Sequence, residues 1–169
     1  MHKRLKLLLI VLAIAFLGMQ FVRPARTNPM SDPATALGAS VPVPAAAAAI
    51  LDRSCRDCHS NETRWPWYSH VAPASWFVID HVNHGRSHFN YSAWNTYDRQ
   101  RQAELLKGSC ELAREGAMPM PSYLLMHGSA RLSPAEVGIL CDWAAPATNH
   151  QPPTAKHQAP GTQHQAPGT

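Results

Sequence analysis

Cys55-Arg56-Asp57-Cys58-His59 is the stretch on which the reading of this chain turns. On a helix, residues three apart share a face, so the thiols of Cys55 and Cys58 stand one turn apart with the imidazole of His59 beside them. Thiols so placed can each add to one of the two vinyl groups on the edge of a porphyrin, and a neutral imidazole is a good ligand for its iron. The pattern predicts one covalent haem c, carried by Cys55 and Cys58, with His59 as the proximal iron ligand. Zinc would require a second pair of closely spaced cysteines, and the remaining two, Cys110 and Cys141, are far apart. A thioredoxin-like redox pair would require a strand-helix-strand setting, and no stretch here alternates like a strand for long.

Outward from the motif, the signals are helical. Ala45 to Cys58 carries alanines and Ile50-Leu51 without a breaker and should run as one helix into the motif. A second helix is expected from Pro73 to a stop near Gly85, and a third from Arg99 to Glu115, with Ala103, Leu106, Cys110 and Ala113 on one stripe and Gly116 ending it. The last has Ser133 as N-cap, Pro134 in the first turn and Glu136 completing a capping box. The fold class that follows is all-α: a small cytochrome-c-like helical domain, residues 45–146, wrapped around one haem.

The flanks are different. The chain has 169 residues with 15 prolines against 9 glycines, a balance that reserves part of the length for linkers and tails. Residues 1–23 open with Lys3, Arg4 and Lys6 before an apolar run, which reads as a signal anchor or transmembrane helix. From Leu7 to Val22 a helix would span about 24 Å at ~1.5 Å per residue, short of a ~30 Å hydrocarbon core, so Lys6 and Arg23 would have to snorkel. Basic residues before the span place the N-terminus in the cytoplasm and the haem domain in the periplasm of a bacterium, at the inner membrane. Residues 24–44, rich in Pro, Ala, Ser and Thr, read as a linker, and 147–169 as a disordered tail in which Lys156 to Thr162 is echoed by Gln163 to Thr169. Much of the formal charge of +4 lies in the first residues, outside the domain, so nucleic acid is not an expected partner.

For the distal iron ligand, Gly116-Ala117-Met118-Pro119-Met120-Pro121 offers a thioether in a proline-stiffened loop. Met118 is the first candidate and Met120 its competitor, while His70, His81, His84, His88 and His127 keep bis-histidine ligation open. Arg64 and Arg86 are candidates for the haem propionates, since guanidinium suits carboxylates. Trp65 and Trp67 could wall the porphyrin or pack a core. Cys110 and Cys141 can be joined in only one way. A disulfide there would close a loop of about thirty residues and contribute roughly 3 to 4 kcal/mol; two buried free thiols are the alternative.

In Cys55 to Trp67, Ala72 to Trp76, Met118 to Tyr123, Leu132 to Glu136 and Leu140 to Trp143, the chain resembles the bacterial haem-binding domain family. The resemblance implies haem binding, a cytochrome-c-like periplasmic domain, and Met118-Pro119 as the match to that family's Met-Pro. The function expected is single-electron transfer with redox partner proteins, the membrane reached through the N-terminal anchor. A haem-based sensor or a peroxidase-like enzyme with a labile distal ligand is the alternative. Electron transfer requires no catalytic residue and does not make the chain an enzyme.

Overall fold

Helical stretches separated by proline-bearing loops produce, in a computed structural model describing residues 2–148, eight α-helices and four 3-10 turns with no strand among those residues. The repeat tail from residue 149 onward lies outside the described residues. Helix α6 (Arg99–Arg114) packs on α8 (Pro134–Thr148), and α3 (Ala45–Ser54) lies against α8. Their apolar stripes meet in a core of Leu51, Leu106, Ala113, Leu140 and Ala144, closed by Phe89 and the fully buried Trp94. Cys110 and Cys141, on facing stripes, are joined by a disulfide with Cα atoms 4.8 Å apart.

The ends of these helices have local causes. Asp98 Oδ1 accepts from Arg101 N at 2.8 Å at the start of α6. At its end Gly116 takes φ +69°, a left-handed conformation that glycine adopts without a Cβ penalty. At α8 the capping box forms, with Ser133 N donating to Glu136 Oε2 at 2.8 Å and Glu136 N to Ser133 Oγ at 3.3 Å. Arg53 of α3 pairs with the same carboxylate at 2.6 Å. The Ser133 backbone N–H, then Arg53, pull the Glu136 carboxyl down to about 2.

Three expectations need correction. The helix entering the motif is not continuous: α3 ends at Ser54, Cys55 kinks at φ −128° and ψ −35°, and the short α4 (Arg56–His59) restarts beyond it. Helix α5 (Ala74–His88) does not stop at Gly85 but continues a turn further. The third concerns the N-terminus. Helix α1 (His2–Met19) is exposed along its length, yet no helix among the described residues is long and apolar enough to cross a membrane. Its first turns hold Lys3, Arg4 and Lys6, and it ends before Val22. What remains, Leu7 to Met19, rises only about 20 Å against a ~30 Å hydrocarbon core.

Beyond α1 the chain lies along the domain. Gln20 clasps the backbone of Ala72, accepting from its N at 3.0 Å and donating to its O at 3.1 Å. Trp76 Nε1 donates to Val22 O at 2.6 Å and Arg26 to Ser69 O at 2.8 Å. Further on, Leu37 of α2 (Leu37–Ser40) is buried in the core, and Trp143 Nε1 donates to Pro42 O at 3.1 Å. The proline-rich segment lies as a strap over the domain surface.

Candidate functional site

The motif sits where α4 crosses α5. Gly85 allows the crossing: a Cβ built there would lie 2.6 Å from Cys58 O, a contact that no side chain tolerates. Beyond α5, the backbone carbonyl of Phe89 faces His59 Nδ1 at 3.0 Å. A carbonyl oxygen only accepts, so Nδ1 carries the hydrogen and Nε2 keeps the lone pair, the arrangement that orients a metal-ligating imidazole. Burial, the largest influence, pushes the His59 imidazole below its ordinary range. It also pushes the Cys55 and Cys58 thiols up to about 11 each. Both cysteines are free, and Cys55 is flanked by the half-buried Tyr91.

Two hollows meet at this point. The larger, about 410 Å³, and a smaller one of about 70 Å³ share Cys55, His59, His84 and Met118 in their walls. Cys58 faces the smaller one. Met118 reaches this position because Ala117 N and Met118 N both donate to Leu112 O, at 3.0 and 3.1 Å, folding the loop back over the end of α6. Met120 lines the smaller hollow only, so Met118 shares more of the space with His59 than its competitor does. Of the histidines, His84 lines both hollows, His81 the smaller and His88 the larger; His127 lines neither.

The candidate contacts outside the motif are placed differently from expectation. Arg86 is spent on the strap and its neighbours: it donates to Ser60 O and Thr27 O, both at 2.7 Å, and to Asn28 Oδ1 and Thr63 Oγ1 at 2.9 and 2.7 Å. Arg64 is held by Asp57 at 3.1 Å and by Asp52. Trp65 donates to Asn28 Oδ1 at 3.2 Å, and Trp67 is 71 % exposed. None of the four lines the two hollows at the motif. Arg101 does, together with Phe89 and Tyr91. A guanidinium in the first turn of an exposed-looking helix gives no sign in sequence that it borders a cavity; Tyr91 could have been singled out as an aromatic in a loop close after the motif.

The residues present suit a haem. A hollow of about 410 Å³ is in the range of cofactor sites, roughly 300–1,000 Å³. The Cys55 thiol, an oriented imidazole and a thioether meet at it, and the Cys58 thiol faces the smaller hollow beside it. The buried hydroxyl of Ser54, which lines both hollows, has no hydrogen-bond partner in the protein. An all-helical domain with this donor set defines a haem-binding protein. The family model of the haem-binding domain matches residues 14–146, and the chain belongs to that family. The match begins inside α1 and takes in the strap, both outside the stretch that the motifs alone suggested. No curated protein and no solved structure matches the chain.

Proposed function

We propose that the chain is a single-haem c-type protein that passes single electrons outside the cytoplasm, in the bacterial periplasm. The observation that carries this reading is the meeting of Cys55, His59 and Met118 in the walls of the same two hollows, with Cys58 in one of them. Cys55 and Cys58 would hold the group covalently, and His59 and Met118 would ligate its iron. When bound, haem supplies a one-electron couple, and a thioether ligand favours its reduced form relative to a second imidazole.

The chain's own contribution is rigidity and exclusion of water. Phe89 O fixes the His59 ring, the Leu112 carbonyl fixes the Met118 loop, and Leu51, Leu105, Phe89 and Leu140 give the larger hollow a largely apolar wall. Fixed ligands and a largely apolar wall keep reorganisation on electron exchange small. The disulfide of Cys110 and Cys141 suits an oxidising compartment, and redox proteins meeting the haem end would be the partners.

His84, which shares both hollows with His59 and Met118, favours the sensor or peroxidase-like reading as the alternative, since it could move protons if Met118 let go. Optical spectroscopy of the purified, matured protein separates the two. Electron transfer predicts a ferrous form inert to carbon monoxide, and Met118 as the ligand predicts a ferric sulfur-to-iron band that disappears in Met118→Ala and persists in Met120→Ala. Prompt carbon monoxide binding by the unmodified protein would transfer the case to the sensor or enzyme.

A further inference from the structure

The segment that carries Met118 is fastened at both ends. At its root, Ala117 N and Met118 N donate to Leu112 O, in the last turn of α6. At its far end, Tyr123 Oη donates to Asp57 Oδ2 at 3.1 Å, a partner 66 residues away in sequence. Tyr123 belongs to α7 (Pro121–Leu124), and Asp57 lies on α4, between Cys55 and Cys58 of the motif. Between the two fastenings, Pro119 and Pro121 each fix a backbone φ, which limits how far the stretch can fold away.

Both partners in the far fastening are themselves held. Asp57 Oδ1 accepts from Arg64 N and from Arg64 Nε, each at 3.1 Å, so the carboxylate presents its other oxygen to Tyr123. The Asp57 carbonyl accepts from Thr63 Oγ1 at 2.6 Å. The Asp57 side chain is only 15 % exposed, so water competes little for it. Tyr123 stacks on His127, with ring centroids 4.0 Å apart and 13° between planes. Asp57 and Tyr123 both line the smaller hollow at the motif, along with Cys58, Met118 and Met120. A hydrogen bond to an ionised acceptor is roughly twice as strong as one between neutral groups.

We propose that Tyr123, through its bond to Asp57, is the positioning residue that keeps the Met118 loop closed against the haem motif, so that the Met118 sulfur resists displacement from the iron. The inference rests on Met118 as the distal ligand. A loop fastened only at Leu112 could swing about its root. With the second fastening in place, release of the sulfur requires the charge-assisted bond to break or the proline-stiffened stretch to distort. The bond also joins the element that carries the thiols and His59 to the element that carries the opposing thioether, so the two ligand-bearing parts move together.

The test uses the full-length matured protein in its ferric form, titrated with imidazole as a competing ligand and followed by loss of the sulfur-to-iron band. Tyr123→Phe keeps the ring and its stacking and removes the hydroxyl. It should lower the imidazole concentration at half-loss about tenfold, the weight of one hydrogen bond to a charged group. Asp57→Ala removes the acceptor and should lower it by a similar factor, and Tyr123→Phe added to Asp57→Ala should lower it no further. A half-point unmoved in Tyr123→Phe, or two effects that multiply in the double variant, overturns the inference. Where Tyr123→Phe fails to fold, Asp57→Asn carries the comparison: a neutral acceptor of the same shape should lower the half-point about threefold, and no change there overturns the inference equally. Failure of the ligand reading looks different, because the unmodified protein would then lack the band or keep it in Met118→Ala; either result removes this inference as well.

Discussion

The helix pair α6 and α8 and the crossing of α4 with α5 are built on opposite principles. The first is filled: Leu106, Leu140, Ala113 and Ala144 interdigitate around a disulfide, and Trp94 seals one end with no exposure. The second is hollow. Close approaches to backbone, Gly85 beside Cys58 O and His59 against Phe89 O, set it beside space that protein atoms leave open. The lesson is a division of labour: the close-packed face of α6 and α8 supplies much of the folding free energy, and the walls that Leu105, Leu112 and Leu140 share with Phe89 and Tyr91 are left open for a ligand to complete. Apolar walls without a filling forgo the dispersion contacts that a close-packed interior gains.

That contrast can be broken or sharpened by substitution, taking the largest effect first. Replacing Cys55 and Cys58 together by Ala should abolish covalent haem entirely while leaving the α6–α8 half folded. Intact-mass spectrometry gives the first result, and retained far-ultraviolet helicity gives the second. Trp94→Ala strikes the filled half and should cost about 3–5 kcal/mol in urea unfolding, haem-loaded or not. Removing the disulfide by Cys110→Ser with Cys141→Ser should cost roughly 3 kcal/mol, again without changing the visible spectrum.

Gly85→Ala belongs to the hollow half. Its Cβ must displace Cys58 O, a backbone atom that cannot swing away, so α4 and α5 must part. The overpacking should cost about 1–3 kcal/mol and, unlike the disulfide variant, should shift the haem spectrum. The smallest effect is at Glu136. Its carboxyl falls from 4.5 unfolded to about 2 folded, so it stabilises above pH 4.5, and that contribution is lost as acid is added toward pH 2. Thermal unfolding of Glu136→Gln should therefore show a shallower loss of Tm than the unmodified protein over that interval. A parallel pair of curves would count against the assignment.

The filled half was largely legible because its signals are local. The stripe Leu106, Cys110, Ala113 has helical spacing, Gly116 ends α6 with the positive φ that a helix terminus uses, and Ser133 with Glu136 marks the start of α8. The motif and its all-helical setting were equally plain. The hollow half was harder, since its determinants are contacts between distant residues. Gly85 reads as a helix stop in sequence, yet it serves to let α4 approach. Arg86 reads as a free guanidinium, yet Thr27, Asn28, Ser60 and Thr63 consume it. Nothing in the composition of Pro24 to Pro44 distinguishes a strap from a loose spacer, because its partners Ser69, Ala72 and Trp76 lie elsewhere in the chain. The break at Cys55 has no local breaker at all.

The double clasp of Gln20 on Ala72 sets how far the domain can roam. With the chain pinned one residue past α1, no slack remains for a swinging arm. Whatever grips the first helix therefore also aims the haem-binding end of the domain.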